Sequence, residues 1–266
     1  MSFEKSSEFV QSLARGLSVM RCFDGEHSEL SQADIAERTG LARAVVRRSL
    51  LTLQHLGYIG TRGRLFMLLP RVLELGFGYL SSLRLPQLAL PAMESLSQSL
   101  HESCSLAVLD DHDIVYVARA AARRVMSVTL NVGARLPAFA TSMGRVLLAG
   151  LPDNQFDAWL STAQLRQLTP HTIHEPNKLR AEVQKVRANG YCLVTRELEL
   201  ALCALAVPVR NRQQNTVAAL NVALHYRSGI RSHALEAVLP VLKAARVEIE
   251  RAIEHLWSAP GGRRAP

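Results

Sequence analysis

Residues 31–56 read SQADIAERTGLARAVVRRSLLTLQHL, and their pattern indicates how the first part of the chain folds. It predicts two helices joined by a tight turn. Ser31 and Asp34 give a box-like capping signal for the first helix, and Gly40 ends it. The second helix is expected over about Arg43 to Leu56, because its apolar residues recur on one face. The stretch therefore predicts a helix-turn-helix.

The flanking sequence extends this unit in both directions. Upstream, apolar residues at helical spacing predict a helix from Ser7 to Phe23. Downstream, YIGTRGRLFML predicts two short strands around Thr61-Arg62-Gly63, with arginines at the tip of the hairpin. Three helices followed by a basic hairpin are typical of a winged helix-turn-helix, here over residues 7–69. Residues 70–85, which begin at Pro70, are predicted to form a linker helix.

The charge of the chain points to double-stranded DNA as a partner. The net charge is +8, and 27 of the 31 basic residues are arginines. Between Arg38 and Leu73 there are seven arginines and no acidic residue, as expected of a surface that binds nucleic acid. A recognition helix presents its N-terminal half to base edges, and a wing reaches the backbone or minor groove. The predicted DNA contacts are Arg43, Ala44, Arg47, Arg48, Arg62 and Arg64.

The rest of the chain, residues 86–258, predicts an α+β domain in which helices flank a mostly antiparallel sheet. Residues 259–266, GGRRAP with its two preceding residues, are predicted to be a disordered tail. Strands are expected over 103–110, 113–120, 124–132, 190–197, 203–210 and 216–224, and helices over 86–101, 141–151, 153–160, 175–189 and 233–257.

A candidate anion site lies at the start of the helix predicted from TSMGRVLLAG. Small residues precede backbone N–H groups that have no partner within the helix, so a carboxylate could bind there. The expected donors are Ser142, Met143 and Gly144, with Thr141 nearby. An ordinary helix start is the alternative interpretation. Arg135 and Arg196 are candidate counter-charges for an acid, or else plain surface arginines.

Several classes of function find no support in the sequence. The four cysteines form no CxxC, and His171 and His174 lack the further ligands that a zinc site needs, so no metal is expected. No Walker loop or GxGxxG predicts a cofactor, and no Ser, His and acid set predicts an enzyme. No secretory signal or long apolar run is present, which predicts a cytoplasmic protein with no membrane partner.

Longer phrases of the sequence resemble the IclR-type bacterial transcriptional regulators. These are SLARGLSVMRCFD, LSQADIAERTGLARAVVRRSLLTLQHLGYI and PRVLELG, then SLAVLDDHDIVYVARA, VGARLPAFATSMGRVLLAGL, GYCLVTRELELALCALAVPVR and AALNVAL. Within the family, RRSLLTL and RVLELGFGYLSSL are similar to the branch that regulates aromatic-acid breakdown through the β-ketoadipate route. The resemblance implies a winged helix-turn-helix, a linker helix used in dimerisation, and a C-terminal effector-binding domain related to GAF and PAS folds.

The resemblance also carries over particular residues. It implies that the effector cavity includes Thr195, Ala204, Asn221 and Ala223, facing the loop at Thr141. The chain departs from the family pattern at Thr195, Ala201, Cys203 and Ala204, where Asp, Gly, Arg, and Ser or Cys are common. Such regulators work as homodimers or homotetramers, and the apolar line Leu73, Phe77 and Leu80 is the expected dimer contact.

The sequence as a whole predicts a ligand-responsive transcriptional regulator of aromatic-acid catabolism genes, with a small carboxylic acid, aromatic in class, as effector. Two alternatives stay open at this point. One is an enzyme acting on a small carboxylic acid, and the other is a ligand-independent DNA-binding protein. Measuring duplex binding with and without candidate acids, and turnover of the same acids, separates the three.

Overall fold

The structure is a computed structural model that describes residues 4, 6–76, 84–122 and 131–254. The chain divides into two compact units, residues 1–82 and 83–266. Within the described ranges, no helix combines the length and the apolar character needed to cross a membrane. The domain limits 7–69, 70–85 and 86–258 stay predictions, and the predicted tail 259–266 lies outside the described residues.

The first unit packs helices against a small antiparallel sheet with strand order β1-β3-β2. The predicted helix at 7–23 is shorter than expected: it begins after Val10, whose side chain makes no capping hydrogen bond, and ends before Arg21. Strand β1 was not predicted, since three residues are too few to show an alternating pattern. The elements are α1 (Gln11–Met20), β1 (Glu29–Ser31), α2 (Gln32–Thr39), α3 (Arg43–His55), β2 (Ile59–Arg62) and β3 (Leu65–Leu68).

Local sequence signals explain the helix-turn-helix. The Ser31 hydroxyl accepts from the backbone N–H of Asp34, whose carboxylate accepts from the backbone N–H of Ser31, so the predicted capping box is confirmed. Gly40 ends α2 in the left-handed region, at φ 66°, where glycine carries no Cβ penalty. Ile35 and Val46 are fully buried in the core between the helices.

The wing turns one residue later than predicted. Arg62 pairs with Leu65 in the ladder between β2 and β3, so the two-residue turn is Gly63-Arg64 rather than Thr61-Arg62-Gly63. Gly63 has φ 61°, which suits the first central position of a two-residue hairpin turn. Arg64 therefore lies at the tip of the wing, and Arg62 lies on its strand.

The predicted linker helix begins as a 3-10 turn at Pro70–Val72, and residues 73–76 are helical. Residues 77–83, which include Phe77 and Leu80, lie outside the described residues.

Among its described residues, the second unit has a six-stranded sheet with order β6-β5-β4-β9-β8-β7, and the neighbouring strands are antiparallel. The α+β prediction is confirmed. The strand predicted at 124–132 falls almost wholly outside the described residues. The elements are α4 (Arg84–Leu100), β4 (Ser103–Asp110), β5 (Asp113–Ala120), β6 (Arg135–Pro137), α5 (Ser142–Ala149), α6 (Asp153–Thr162), α7 (Pro176–Asn189), β7 (Cys192–Thr195), β8 (Leu202–Arg210), β9 (Thr216–His225), α8 (Ile230–His233) and α9 (Leu239–Ala252).

Helices cover both faces of this sheet, and each face has its own core. Helices α4, α8 and α9 pack on one face, and α5, α6 and α7 on the other. The final helix is long, as predicted, but it is irregular, because a π-helical turn at Ala234–Val238 lies between α8 and α9. Pro240 has no N–H to donate to the carbonyl of Glu236, which accounts for the irregular turn.

Candidate DNA-binding surface and effector cavity

The exposed residues of α3 include four of those predicted to contact DNA. Leu50 and Val46 anchor the helix in the core. Because 3.6 residues complete a turn, Ala44, Arg47 and Arg48 point away from these two residues, on the outward face of α3. Arg43 lies three residues before Val46 and is exposed at the first position of the helix, so all four side chains are exposed.

Part of the arginine block has a structural task instead. Arg38 donates to the carbonyl oxygen of Cys22 at 2.9 Å and lies 3.6 Å from the carboxylate of Asp24. Arg71 donates to the carbonyl oxygen of Leu56 at 2.8 Å, at the end of α3. These two side chains link separate parts of the first unit. Counting every arginine of the acid-free block therefore overestimates the number that are available to contact DNA.

The wing contributes one paired and one exposed arginine. Arg62 forms an ion pair with Glu29 at 2.8 Å, while its side chain stays 75% exposed. Arg64 at the tip is exposed. Sequence reasoning missed the Arg62–Glu29 pair because it depends on β1, which lies outside the arginine block.

The second unit holds a cavity of about 370 Å³ between the sheet and the start of α5. Six of the eight predicted effector residues line it, and these are Thr141, Ser142, Met143, Ala204, Asn221 and Ala223. Its other lining residues are Ser103, Ser105, Tyr116, Arg119, Leu136, Ala140, Val194, Glu197, Leu198, Glu199, Ala201, Leu202 and His225.

The structure does not bring Thr195 to the cavity. Thr195 lies opposite Cys203 in the β7–β8 ladder, and its hydroxyl is 3.8 Å from the Cys203 sulfur. Directly paired residues share a face, and Cys203 packs in the core on the far side of the sheet. The neighbouring pair, Val194 and Ala204, lines the cavity instead.

Gly144 was predicted to donate its N–H to a carboxylate, and the structure contradicts that role because this N–H already has a partner and Gly144 does not line the cavity. Its N–H donates to the Thr141 hydroxyl at 3.0 Å, so Thr141 caps α5 and uses that donor. A Cβ at Gly144 would lie 2.0 Å from the carbonyl oxygen of Ala138. Glycine is therefore required for the close packing of α5 on the turn that precedes it.

Ser142 is the most informative polar group in the cavity. The residue is 1% exposed, and its hydroxyl has no hydrogen-bond partner among the described residues. A buried hydroxyl without a partner is costly, so it points to a group that the cavity receives. Ser142 is also the first residue of α5, where the helix dipole favours negative charge.

A row of polar residues crosses the sheet beside this helix start, and the sequence did not identify it as a group. Ser105 lies opposite Arg119 in one ladder and opposite Asn221 in the other. The Ser105 N–H donates to the Asn221 side-chain oxygen at 3.1 Å. Burial raises the pKa of the nearby Tyr116 to about 12, so its phenol stays neutral. The ladder registers that assemble this row cannot be read from local sequence.

The two arginines proposed as counter-charges lie elsewhere. Arg135 pairs with Asp110 at 2.5 Å and with Asp113 at 3.2 Å on the surface. Arg196 stacks over the ring of Tyr226 at 4.9 Å. Neither lines the cavity.

Behind the cavity is a buried ion pair between Arg145 and Glu197. Arg145 is 1% exposed, and its fork donates to both carboxylate oxygens of Glu197, at 2.8 and 2.5 Å. Its Nε donates to the carbonyl oxygen of Phe139 at 2.9 Å. Glu197 also lines the cavity, so the pair joins α5 to the loop after β7.

Comparison with known proteins identifies both parts of the chain. Residues 12–63 match the IclR helix-turn-helix domain, and residues 77–251 match the bacterial transcriptional regulator IclR C-terminal domain. The "Pca regulon regulatory protein" of Pseudomonas putida is 44% identical over 92% of this chain and 84% of its own. The "p-hydroxybenzoate hydroxylase transcriptional activator" of Acinetobacter baylyi is 36% identical over 94% of each chain.

A solved structure shows the same fold. It is an IclR homologue from Microbacterium hydrocarbonoxydans complexed with 4-hydroxybenzoate, 27% identical, with a TM-score of 0.77 over 91% of this chain and 98% of its own. The relatives are named as regulators rather than enzymes, so the predicted regulatory function is confirmed. The chain belongs to the IclR family of bacterial transcriptional regulators.

Proposed function

We propose that this regulator responds to a small aromatic carboxylic acid that binds in the 370 Å³ cavity. The observation that carries the proposal is the buried, unpartnered hydroxyl of Ser142 at the start of α5. A cavity of this size, mostly apolar with a few convergent polar groups, suits a small ligand. The names of its relatives, which refer to the Pca regulon and to p-hydroxybenzoate hydroxylase, support an aromatic effector.

The carboxylate of the effector would lie at the start of α5. The backbone N–H groups of Ser142 and Met143 belong to the first turn, where helix donors lack partners within the helix. The Ser142 hydroxyl adds a donor, and Arg119 on the cavity wall adds positive charge. The apolar side chains of Ala204 and Ala223 would pack against the ring.

Ser142→Ala should weaken effector binding about 10- to 100-fold, the scale of one hydrogen bond to a charged group. The measurement is calorimetry of 4-hydroxybenzoate, protocatechuate and β-ketoadipate with the parent and the variant. Ser161→Ala is the matched control, because Ser161 is exposed on α6 and its hydroxyl donates to the carbonyl oxygen of Ala158 on the same helix. If no acid gives heat and none alters operator affinity, the aromatic-acid assignment fails, while membership of the family stands.

The DNA-binding half would read its operator with the outward face of α3. Arg43, Arg47 and Ala44 would meet base edges, while Arg48, Arg62 and Arg64 would contact phosphates or the minor groove. Operator DNA in bacteria lies in the cytoplasm, so we infer that the protein acts there. An effector changes operator affinity only by binding the two functional states of the protein unequally.

We infer further that the chain acts as a homodimer or homotetramer, with the segment around Leu73 in the dimer contact. Leu73 is 74% exposed and Leu75 is 56% exposed, on the helical residues 73–76. Phe77 and Leu80, the other two residues of the predicted apolar line, lie outside the described residues.

Leu73→Asp should lower the mass measured in solution, or raise the concentration at which subunits associate, because a charge would replace a large exposed apolar group. Light scattering over a concentration series measures both. Leu168→Asp, on another exposed leucine, is the matched control. A Leu73→Asp protein that keeps the parent's mass and association would remove this segment from the contact.

A further inference from the structure

Asn221 has one end of its side-chain amide fixed by the sheet and the other end directed to the effector cavity. It lies on β9, lines the cavity and is 5% exposed. Its Oδ1 accepts the backbone N–H of Ser105, on the neighbouring strand β4, at 3.1 Å. Because only the oxygen end of an amide can accept from an N–H, this bond fixes the orientation of the amide. The NH2 group is therefore at the other end, and no hydrogen bond from it is formed among the described residues.

The side chain of Ser105 lies beside that of Asn221 on the same face of the sheet. Ser105 is 5% exposed, lines the cavity, and is directly opposite Asn221 in the β4–β9 ladder. Directly opposed residues have Cβ atoms about 4.5–5.5 Å apart, so one small group can contact both side chains. The bond to Asn221 uses the backbone of Ser105 and not its hydroxyl. The pair therefore offers amide donors from Asn221 and a hydroxyl from Ser105 that can donate or accept.

This pair belongs to the sheet wall of the cavity, and the start of α5 forms a different wall above it. Met143 of α5 packs in one core with Ala107 and Ala219. These two alanines lie two positions along β4 and β9 from the pair, and residues two apart on a strand share a face. Helix α5 thus covers the face of the sheet that carries the pair. Because the cavity is only about 370 Å³, one aromatic acid can contact both walls.

A hydroxyl group is the ring substituent that matches the pair. Its oxygen can accept from the NH2 group of Asn221 while its proton is donated to the Ser105 oxygen. A methyl group in the same place would leave these buried polar groups without partners, which costs free energy. Arg119 lies opposite Ser105 on β5 and also lines the cavity, and its positive charge further favours an oxygen over a methyl group.

We propose that Asn221 and Ser105 determine effector specificity by binding a hydroxyl group on the ring of the aromatic acid. The inference rests on the proposed function, in which the carboxylate of the same acid binds at the start of α5. The pair contacts the ring substituent, and Ser142 contacts the carboxylate. The effector class is then a hydroxybenzoic acid, and an acid with an alkyl group in place of the hydroxyl is a weaker ligand.

The parent protein tests the proposal without any substitution. Calorimetry compares 3-hydroxybenzoate with 3-methylbenzoate, and 4-hydroxybenzoate with 4-methylbenzoate, because hydroxyl and methyl groups are similar in size. At one or both ring positions we expect the hydroxyl acid to bind about tenfold more tightly than the methyl acid, the scale of two neutral hydrogen bonds. If the methyl acid binds as tightly at both positions, the proposal is wrong. If none of the four acids binds, the proposed function fails, and this inference fails with it.

Ser105→Ala and Asn221→Ala locate the effect in the pair. Each should lower the ratio of hydroxyl-acid to methyl-acid affinity about threefold or more, because each removes one of the two hydrogen bonds. Ser105→Ala keeps the backbone N–H that Asn221 accepts, so its fold should be unaffected. If Asn221→Ala does not fold, the ratio in Ser105→Ala decides.

The affinity ratio separates this role from two others. A pair that contacts the carboxylate, or only supports the fold, would weaken hydroxyl and methyl acids by the same factor when it is substituted. A ratio that stays at the parent's value in Ser105→Ala would therefore overturn the proposal. Ser97→Ala is the matched control and should leave all four affinities unchanged, because Ser97 is a buried serine on α4 that does not line the cavity.

Discussion

Gly144→Ala is expected to abolish effector binding and to destabilise the second unit. The added Cβ would lie 2.0 Å from the oxygen of Ala138, 2.4 Å from its Cα and 2.5 Å from its carbonyl carbon. These are backbone atoms that cannot rotate away, so α5 and the 3-10 turn at Ala138–Ala140 must separate. Overpacking of a core costs about 1–3 kcal/mol, and occasionally more, and a backbone clash belongs at the upper end.

The loss of effector affinity should be larger than the loss of folding stability. Movement of α5 shifts Ser142 and its neighbouring N–H groups, and a misplacement of about 1 Å is enough to spoil a preorganised site. Thermal unfolding measures the stability, and calorimetry measures the effector affinity. Gly25→Ala is the matched control, because a Cβ added there would meet no atom within 4 Å and its backbone needs no positive φ. A Gly144→Ala protein with the parent's melting temperature and effector affinity would contradict the close packing of α5 on this turn.

The start of α5 could be predicted because helix ends are encoded locally. Thr141 caps the helix through the N–H three residues later, and small residues beside it mark the turn. The same signal gave one wrong donor, the N–H of Gly144. Sequence alone could not show that the Gly144 N–H is already used by Thr141, because the choice between a cap and a ligand depends on side-chain geometry.

Positions across the sheet were harder to predict than helix ends. Thr195 and Val194 are neighbours in sequence, yet only Val194 faces the cavity, because successive strand residues point to opposite faces. Arg119 and Asn221 are both adjacent to Ser105, but through ladders that join distant parts of the chain. Such registers follow from long-range pairing, so the polar wall of the cavity required the structure.

Charge counting does not separate exposed arginines from those with a structural task. The acid-free block from Arg38 to Leu73 contains the exposed arginines of α3, but its first and last arginines bond backbone carbonyls. Arginine supplies several donors in a fixed fork, so it can donate to backbone carbonyl oxygens near a helix end as readily as it can donate to a phosphate. Exposure, which needs the fold, separates the two tasks.

Arg47→Ala is expected to cost about 1–3 kcal/mol in operator binding and to relax base preference at one position, if Arg47 contacts guanine through both arms of its fork. The side chain is exposed on the outward face of α3, and its truncation leaves the buried Val46 and Leu50 in place, so the fold should be unaffected.

The operator is first identified as the genomic DNA fragment that the parent protein retains. The affinity of each variant for this fragment and for a mixed-sequence duplex is then measured by titration at fixed salt. Arg212→Ala is the matched control, because it removes one exposed positive charge from the second unit. Loss of a charge alone would weaken all duplexes alike and lower the salt slope, whereas loss of a base contact weakens the operator more than a mixed-sequence duplex. If Arg47→Ala and Arg212→Ala bind operator and mixed-sequence duplexes with the same affinities, Arg47 does not read bases.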